Sequence, residues 1–492
     1  MLFNSGEFIV FFPIVVLLYF GLPTRVKNLW LLVASYYFYM CWNAKYALLL
    51  FFSTFVTYLG GRLLERIKTG NSSHKLLLSR SVLVIAVSVN LILLFYYKYI
   101  NFVLKLLQDI ALQMHIQLNV PAFDIVLPVG ISFYIFQALG YLIDVYRDDI
   151  YAEKSLLRYA LFVSFFPQLV AGPIERSKNL LKQLADKKKF SFENTRAGLL
   201  IMLWGYFLKL VIADRSAVLV NTVYNSYEGY KGFQLIIASM MFAVQIYCDF
   251  MGYSIIAKGA AKVLGFDLME NFAQPYFATS VKDFWRRWHI SLSTWFRDYL
   301  YIPLGGSRCS KLKKRRNLLI TFMVSGLWHG ANLTFVAWGL IHGIYHVIEY
   351  WLTPMTDRLL KQFKVKTNVF SWKLILILKT FVLTDIAWVF FRAKTISSAV
   401  FIIRKSFELD NIGLLLNDGL YQLGLGTKDM NILLIALAVL FVSSYLREKG
   451  EKVSEVLLAQ NAIFRYVLYW GAVIMIILSL DITGQEFIYF QF

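Results

Sequence analysis

The chain has 492 residues, 58% of them hydrophobic and only 16% charged, with a mean hydropathy of +0.58. Water-soluble domains carry about a quarter charged residues, so this composition excludes a soluble globular enzyme and predicts a polytopic, all-α membrane protein. The formal net charge of +20 reads as Lys and Arg gathered in cytoplasmic loops, where they set orientation, and not as a nucleic-acid surface.

The first apolar run, 8–22, is followed by no small-residue cleavage site and reads as a retained helix. Further runs long enough to approach membrane thickness fall at 29–43, 46–62, 81–98, 125–145, 156–172, 197–213 and 232–250. The later ones fall at 317–335, 336–352, 372–392, 431–446 and 463–480. Shorter apolar pieces near 100–120 and 397–416 read as interfacial. About eleven spans are expected, with one or two segments that enter and leave by the same face.

Basic clusters orient these spans. Arg25 and Lys27 follow the first run, and Arg62, Arg66, Lys68, His74, Lys75 and Arg80 surround the turn after the third. Placing both inside puts the N-terminus outside and also accommodates the loops rich in Lys at 176–189 and at 308–316. Nothing divides the chain: 1–492 reads as a single integral-membrane domain, without a fixed-period repeat. The longest polar stretch, 266–316, keeps Trp and Phe throughout and is expected as amphipathic helices on the cytoplasmic membrane surface. Cys41, Cys248 and Cys309 are too dispersed for a disulfide framework.

Two stretches carry chemistry. From Asn317 to Ile348 there is no Asp, Glu, Lys or Arg, yet Ser325-Gly326-Leu327-Trp328-His329-Gly330 lies inside. As one straight helix that run would reach roughly 48 Å at about 1.5 Å per residue, so the chain must bend near the glycines. A polar ring at bilayer depth is costly unless it has a task. A neutral imidazole there can take a proton from a hydroxyl attacking a carbonyl. A packing histidine bonded to a neighbouring helix is the simpler alternative.

The second stretch is Asp283-Phe284-Trp285-Arg286-Arg287-Trp288-His289. Trp285, Trp288 and His289 are expected within one helical turn, with Ser291, Thr294, Arg297 and Asp298 extending its polar face. His289 would orient substrate, and Arg286, Arg287 or Arg297 would meet phosphates of an acyl carrier. Such arginines also serve as plain interfacial anchors. His342 and His346 have i,i+4 spacing before Glu349 but lack a further nearby ligand, so no metal site is expected. Asp249 and Glu175 read as partners for Lys or Arg, and Asp214-Arg215 as an interfacial pair. No phosphate-binding loop, nucleophile elbow or dinucleotide fingerprint is present.

The run from Phe284 to Gly306, FWRRWHISLSTWFRDYLYIPLGG, resembles the signature of the membrane-bound O-acyltransferase (MBOAT) family, and the Ser325–Gly330 stretch resembles its histidine motif. Two earlier stretches agree, Leu127–Gln137 (LPVGISFYIFQ) and Phe166–Glu175 (FPQLVAGPIE). They are similar to the bacterial branch that includes the alginate O-acetyltransferase membrane component and the teichoic-acid D-alanyl transfer protein.

The resemblance implies a ring of helices around a central funnel or tunnel, with His329 and His289 as the catalytic pair. It implies an acyl-thioester donor from the cytoplasm, acetyl-CoA or a phosphopantetheine acyl carrier, with no bound cofactor. The acceptor would be a hydroxyl of an exported polysaccharide or cell-wall polymer. The setting would be a bacterial plasma membrane, with an extracytoplasmic transferase similar to SGNH hydrolases as partner. D-alanyl transfer to teichoic acid is the rival within the class.

The aromatic tail, 484–492, also resembles this branch, which makes Tyr489 a candidate acyl relay. An aromatic interface anchor is its simpler reading. A transporter or lipid flippase would instead call for paired acids within spans and inverted repeats, and neither is visible in the sequence.

Overall fold

The computed structural model describes residues 1–70, 73–121, 123–170, 172–409, 411, 413, 418–480 and 487–488. Among these, every regular element is helical. That is the expected outcome in hydrocarbon, where a helix satisfies its backbone N–H and C=O groups within itself.

Among the described residues, six helices are long and apolar enough to cross a membrane: Tyr46–Thr69, Lys75–Gln113, Phe192–Asn225, Phe233–Val263, Phe370–Arg392 and Thr427–Glu448. They coincide with runs read from the sequence. Gly6–Gly21, Ile131–Tyr146 and Ala462–Ile477 are shorter apolar helices at three more. The chain is a multi-pass membrane protein.

Three expectations need correction. The run at 156–172 is not one span: a helix over Leu156–Ser164 stops at Phe165, and only a single turn, Phe166–Leu169, follows. Pro167 has no N–H to continue the ladder, and both pieces are largely buried in protein. The piece near 100–120 is not separate either. It continues from Lys75 through a π-helical segment, Phe95–Tyr99, to Gln113. Trp285, Trp288 and His289 do not share one helical turn, because the helix Val281–Arg287 ends before Trp288 and the next, Ile290–Phe296, begins after His289. Trp288 and His289 are buried, while Arg286 and Arg297 point out.

The chain forms two compact units. The first comprises Met1–Met202 and Ser254–Met269. Here the two earlier motif stretches converge. Gly130, at φ +75°, caps Ile131–Tyr146 and lies against the Leu169 carbonyl, so a side chain there would be both strained and obstructed. Gln137 and Gln168 both donate to the Phe162 carbonyl, at 2.5 and 2.8 Å. Gly198 and Gly259 bring their helices into backbone contact. Polar pairs lock the rest, such as Tyr159 OH donating to Thr57 Oγ1 at 2.7 Å.

The second unit comprises Leu203–Tyr253 and Glu270–Phe492. It contains both histidine stretches and all three candidate arginines. Tyr489 lies outside the described residues. The unit's densest packing is a helical hairpin, Lys311–His329 and Leu333–Gln362. Gly326 and Gly339 face each other across it, and a methyl on either would overlap a carbonyl oxygen of the opposite leg, of Phe335 or Phe322 respectively.

Candidate active site

The bend expected near the glycines of the uncharged run falls at the second of them, Gly330. Lys311–His329 ends on His329, Gly330 is extended, and Asn332 caps the next helix by accepting from the Thr334 N–H at 3.0 Å. His329 is therefore the last helical residue before a reversal. Its ring centroid lies 5.0 Å from that of Trp338 and 5.4 Å from that of Phe391, both edge to face. Its fractional exposure is 3%.

His289 sits in a different kind of turn. Its φ is +43°, a left-handed conformation that costs a residue with a Cβ about 1–2 kcal/mol. The surroundings enforce it. The Ile290 N–H donates to the Asn271 carbonyl at 2.9 Å, and the Ala273 N–H donates to the Arg287 carbonyl at 3.0 Å. Asn271 Oδ1 accepts from the Ser291 N–H at 3.2 Å and the Ser291 hydroxyl at 2.7 Å, and lies 3.3 Å from His289 Nδ1. The Phe250 ring stands perpendicular to the imidazole, with centroids 4.5 Å apart.

The two turns bring the histidines together, with ring centroids 6.4 Å apart. His289 is 0% exposed and lies between helices that do not span. Burial pushes its imidazole down to about 3, so it is neutral at physiological pH.

The other sequence candidates are placed as follows. Arg286 pairs with Asp283 at 2.6 Å and is largely exposed, and Arg297 pairs with its neighbour Asp298 at 2.8 Å. Arg287 is held between Asp283, at 3.0 Å, and Glu448, at 2.5 Å, so a donor phosphate would compete there with two carboxylates. His342 Nδ1 accepts from the Trp285 indole at 3.2 Å, and Glu349 accepts from the N–H groups of Val281 and Lys282. Glu175 accepts from the Met269 N–H and from Asn179, with the charge of Arg176 beside it.

Asp214 and Arg215 do not form an interfacial pair. Both are buried. Asp214 and Asp249 each sit 2.8 Å from Lys209, while Arg215 binds Asp429 at 3.1 Å and the Ser479 hydroxyl at 2.7 Å. Paired acids within spans, not visible in the sequence, therefore exist, with a lysine between them.

Asn271 was missed altogether. Nothing in Glu270-Asn271-Phe272 marks it, because its importance lies in a turn that folds back onto it.

The family model for the membrane-bound O-acyltransferases matches residues 39–391, a stretch that holds both histidines. The chain is 38% identical over 401 residues to the probable alginate O-acetylase AlgI of Pseudomonas aeruginosa, covering 81% of this chain and 73% of that protein. It is 34% identical over 446 residues to the peptidoglycan O-acetyltransferase of Helicobacter pylori, covering 84% and 81%. Its likeness to the teichoic acid D-alanyltransferase of Bacillus subtilis is 29% over 253 residues, covering 48% and 63%. A helical membrane scaffold, two buried histidines brought within one ring's reach and a match over most of the chain lead to one conclusion: the chain belongs to the membrane-bound O-acyltransferase family and is an O-acyltransferase.

Proposed function

We propose that this protein moves an acetyl group from a cytoplasmic thioester, acetyl-CoA or a phosphopantetheine carrier, for O-acetylation of an exported polysaccharide or cell-wall polymer. The setting is a bacterial plasma membrane. The observation that carries this reading is the convergence of His289 and His329 inside one unit. In the reaction, a hydroxyl oxygen attacks the thioester carbonyl while His329 takes its proton. The tetrahedral intermediate then collapses, the C–S bond breaks, and the thiolate leaves and is reprotonated. The carbonyl end of the Lys311–His329 helix favours the positive charge that develops on the ring. Such base catalysis contributes about 100- to 10,000-fold, and the remainder must come from holding donor and acceptor together in a dry site.

His289 assists from a turn whose geometry does not depend on substrate. The ring of His329 packs edge to face against Trp338 and Phe391, which leaves it in a water-poor setting. Arg286 and Arg297 are the exposed candidates for donor phosphates. An extracytoplasmic transferase similar to SGNH hydrolases completes delivery, with Tyr489 as the acyl relay. Full polymer acylation in cells carrying Tyr489→Phe would remove the relay from this scheme.

Acetyl is favoured over D-alanyl because the O-acetylating relatives align over four-fifths of this chain and the D-alanyltransferase over about half. The deciding experiment is mass analysis of the exported polymer from cells with the wild-type protein and with His329→Ala. The reading requires loss of an acetyl mass while the variant still reaches the membrane. An alanyl mass would establish the rival, and an unchanged polymer would refute both.

A further inference from the structure

Lys209, Asp214 and Asp249 form a buried cluster with one more carboxylate than ammonium. Lys209 sits in a π-helical segment, Phe207–Ala213, inside an otherwise α-helical span. Such bulges cost helix stability and recur at functional sites. A buried carboxylate in excess needs further donors.

One donor comes from far along the chain. The backbone N–H of Ile488 donates to Asp249 Oδ2 at 2.8 Å. Beside it, the ring of Phe487 lies 4.3 Å from that of Tyr253 and 6.1 Å from that of Phe250, centroid to centroid. Phe487 and Ile488 are both buried, at 0% and 1% exposure. The neighbour of Asp214 acts on the same part of the chain, since Arg215 binds the Ser479 hydroxyl just beyond the Ala462–Ile477 helix. The adjacent residues Asp214 and Arg215 thus belong to two anchors, one at Ser479 and one at Ile488.

We propose that the Lys209–Asp214–Asp249 cluster is a docking site for the protein's own C-terminal segment, gripping the backbone at Ile488 and seating Phe487 on Tyr253. Phe250 links this dock to the catalytic pair, because the same ring touches Phe487 on one side and His289 on the other. Asp249 is then a positioning residue. It touches no reacting atom, and it acts through the backbone it holds at Ile488. The docking itself stands without the relay, whereas its consequence for acyl transfer rests on the Tyr489 reading.

The test is hydrogen–deuterium exchange, read by mass spectrometry on the full chain in lipid nanodiscs, for wild type, Asp249→Ala and Phe487→Ala. The second variant leaves every charge of the cluster in place, so it guards against misfolding of the first. A buried hydrogen bond to a carboxylate corresponds to roughly tenfold or more in the open population, so the Ile488 amide should exchange at least that much faster in both variants. Exchange at Ile290 and Ser291 should not change. Wild-type exchange at Ile488 in either variant overturns the dock. Acylation of the polymer is measured in the same variants and in Tyr489→Phe. Faster exchange with undiminished acylation in the two dock variants supports the dock and overturns its part in acyl transfer, while full acylation in Tyr489→Phe overturns the relay. Faster exchange with a loss of acylation matching Tyr489→Phe supports both.

Discussion

Asn271 decides which nitrogen of His289 carries the proton. Its Oδ1 is committed as an acceptor by the Ser291 N–H, so the Nδ1 atom of His289, 3.3 Å away, must face it as a donor. The lone pair is then on Nε2. Asn271→Ala should therefore lower kcat about 10- to 100-fold with little change in KM for the donor, the scale of loss seen when an orienting partner of a functional imidazole is removed. Asn271→Asp keeps the acceptor oxygen and should restore most of the rate, with an altered pH profile. Steady-state acetyl transfer by the purified protein across pH checks this. A purely structural role would give no such rescue.

The hairpin seam should tolerate nothing larger than glycine. Gly326→Ala and Gly339→Ala each force a methyl onto a backbone carbonyl of the opposite leg, and backbone cannot swing aside. Overpacking of this kind costs typically 1–3 kcal/mol and displaces the leg that ends in His329. Both variants should show a lower melting temperature and reduced transfer, whereas Gly471→Ala, which meets nothing within 4 Å, should show neither.

Arg286 and Arg287 are neighbours in sequence and opposites in setting. Arg287→Ala leaves Asp283 with Arg286 alone and Glu448 with Lys373 alone in a half-buried place, and should destabilise by about 1–2 kcal/mol. Arg286→Ala removes an exposed pair and should cost less than about 0.5 kcal/mol. If Arg286 contacts donor phosphate, its removal raises KM for the donor without moving the melting temperature. Thermal unfolding alongside donor titration separates the two.

Acid should weaken the fold through His289. Its imidazole is depressed from 6.5 to about 3 in the folded chain, so between those values the unfolded chain takes up a proton that the folded one does not. The stability it contributes is complete above about pH 6.5 and falls as pH drops through that window, by up to about 1.4 kcal/mol per pH unit. His289→Gln should flatten this acid limb in a pH series of unfolding measurements.

Much of this was legible in the sequence. Hydrocarbon forces helices, so apolar runs such as 46–62 and 372–392 became the helices Tyr46–Thr69 and Phe370–Arg392. That the uncharged run bends followed from its length, and Gly326 and Gly330 marked the region. Partners were not legible. Asn271 reaches His289 through a turn rather than a helical face. Asp214, Asp249 and Lys209 come from two helices whose register no single-sequence pattern fixes. The left-handed His289 departs from the helical turn that the spacing of Trp285, Trp288 and His289 predicts, because the Ile290 and Ser291 N–H groups donate to Asn271.

The leg that carries His329 opens with Lys311, Lys313, Lys314, Arg315 and Arg316, and it is not among the six helices apolar enough to span unaided. Its partner leg, Leu333–Gln362, is not among them either, and the glycine seam joins the two into one hairpin. A nascent chain stopped at Gly330 would present His329 without the leg against which Gly326 packs.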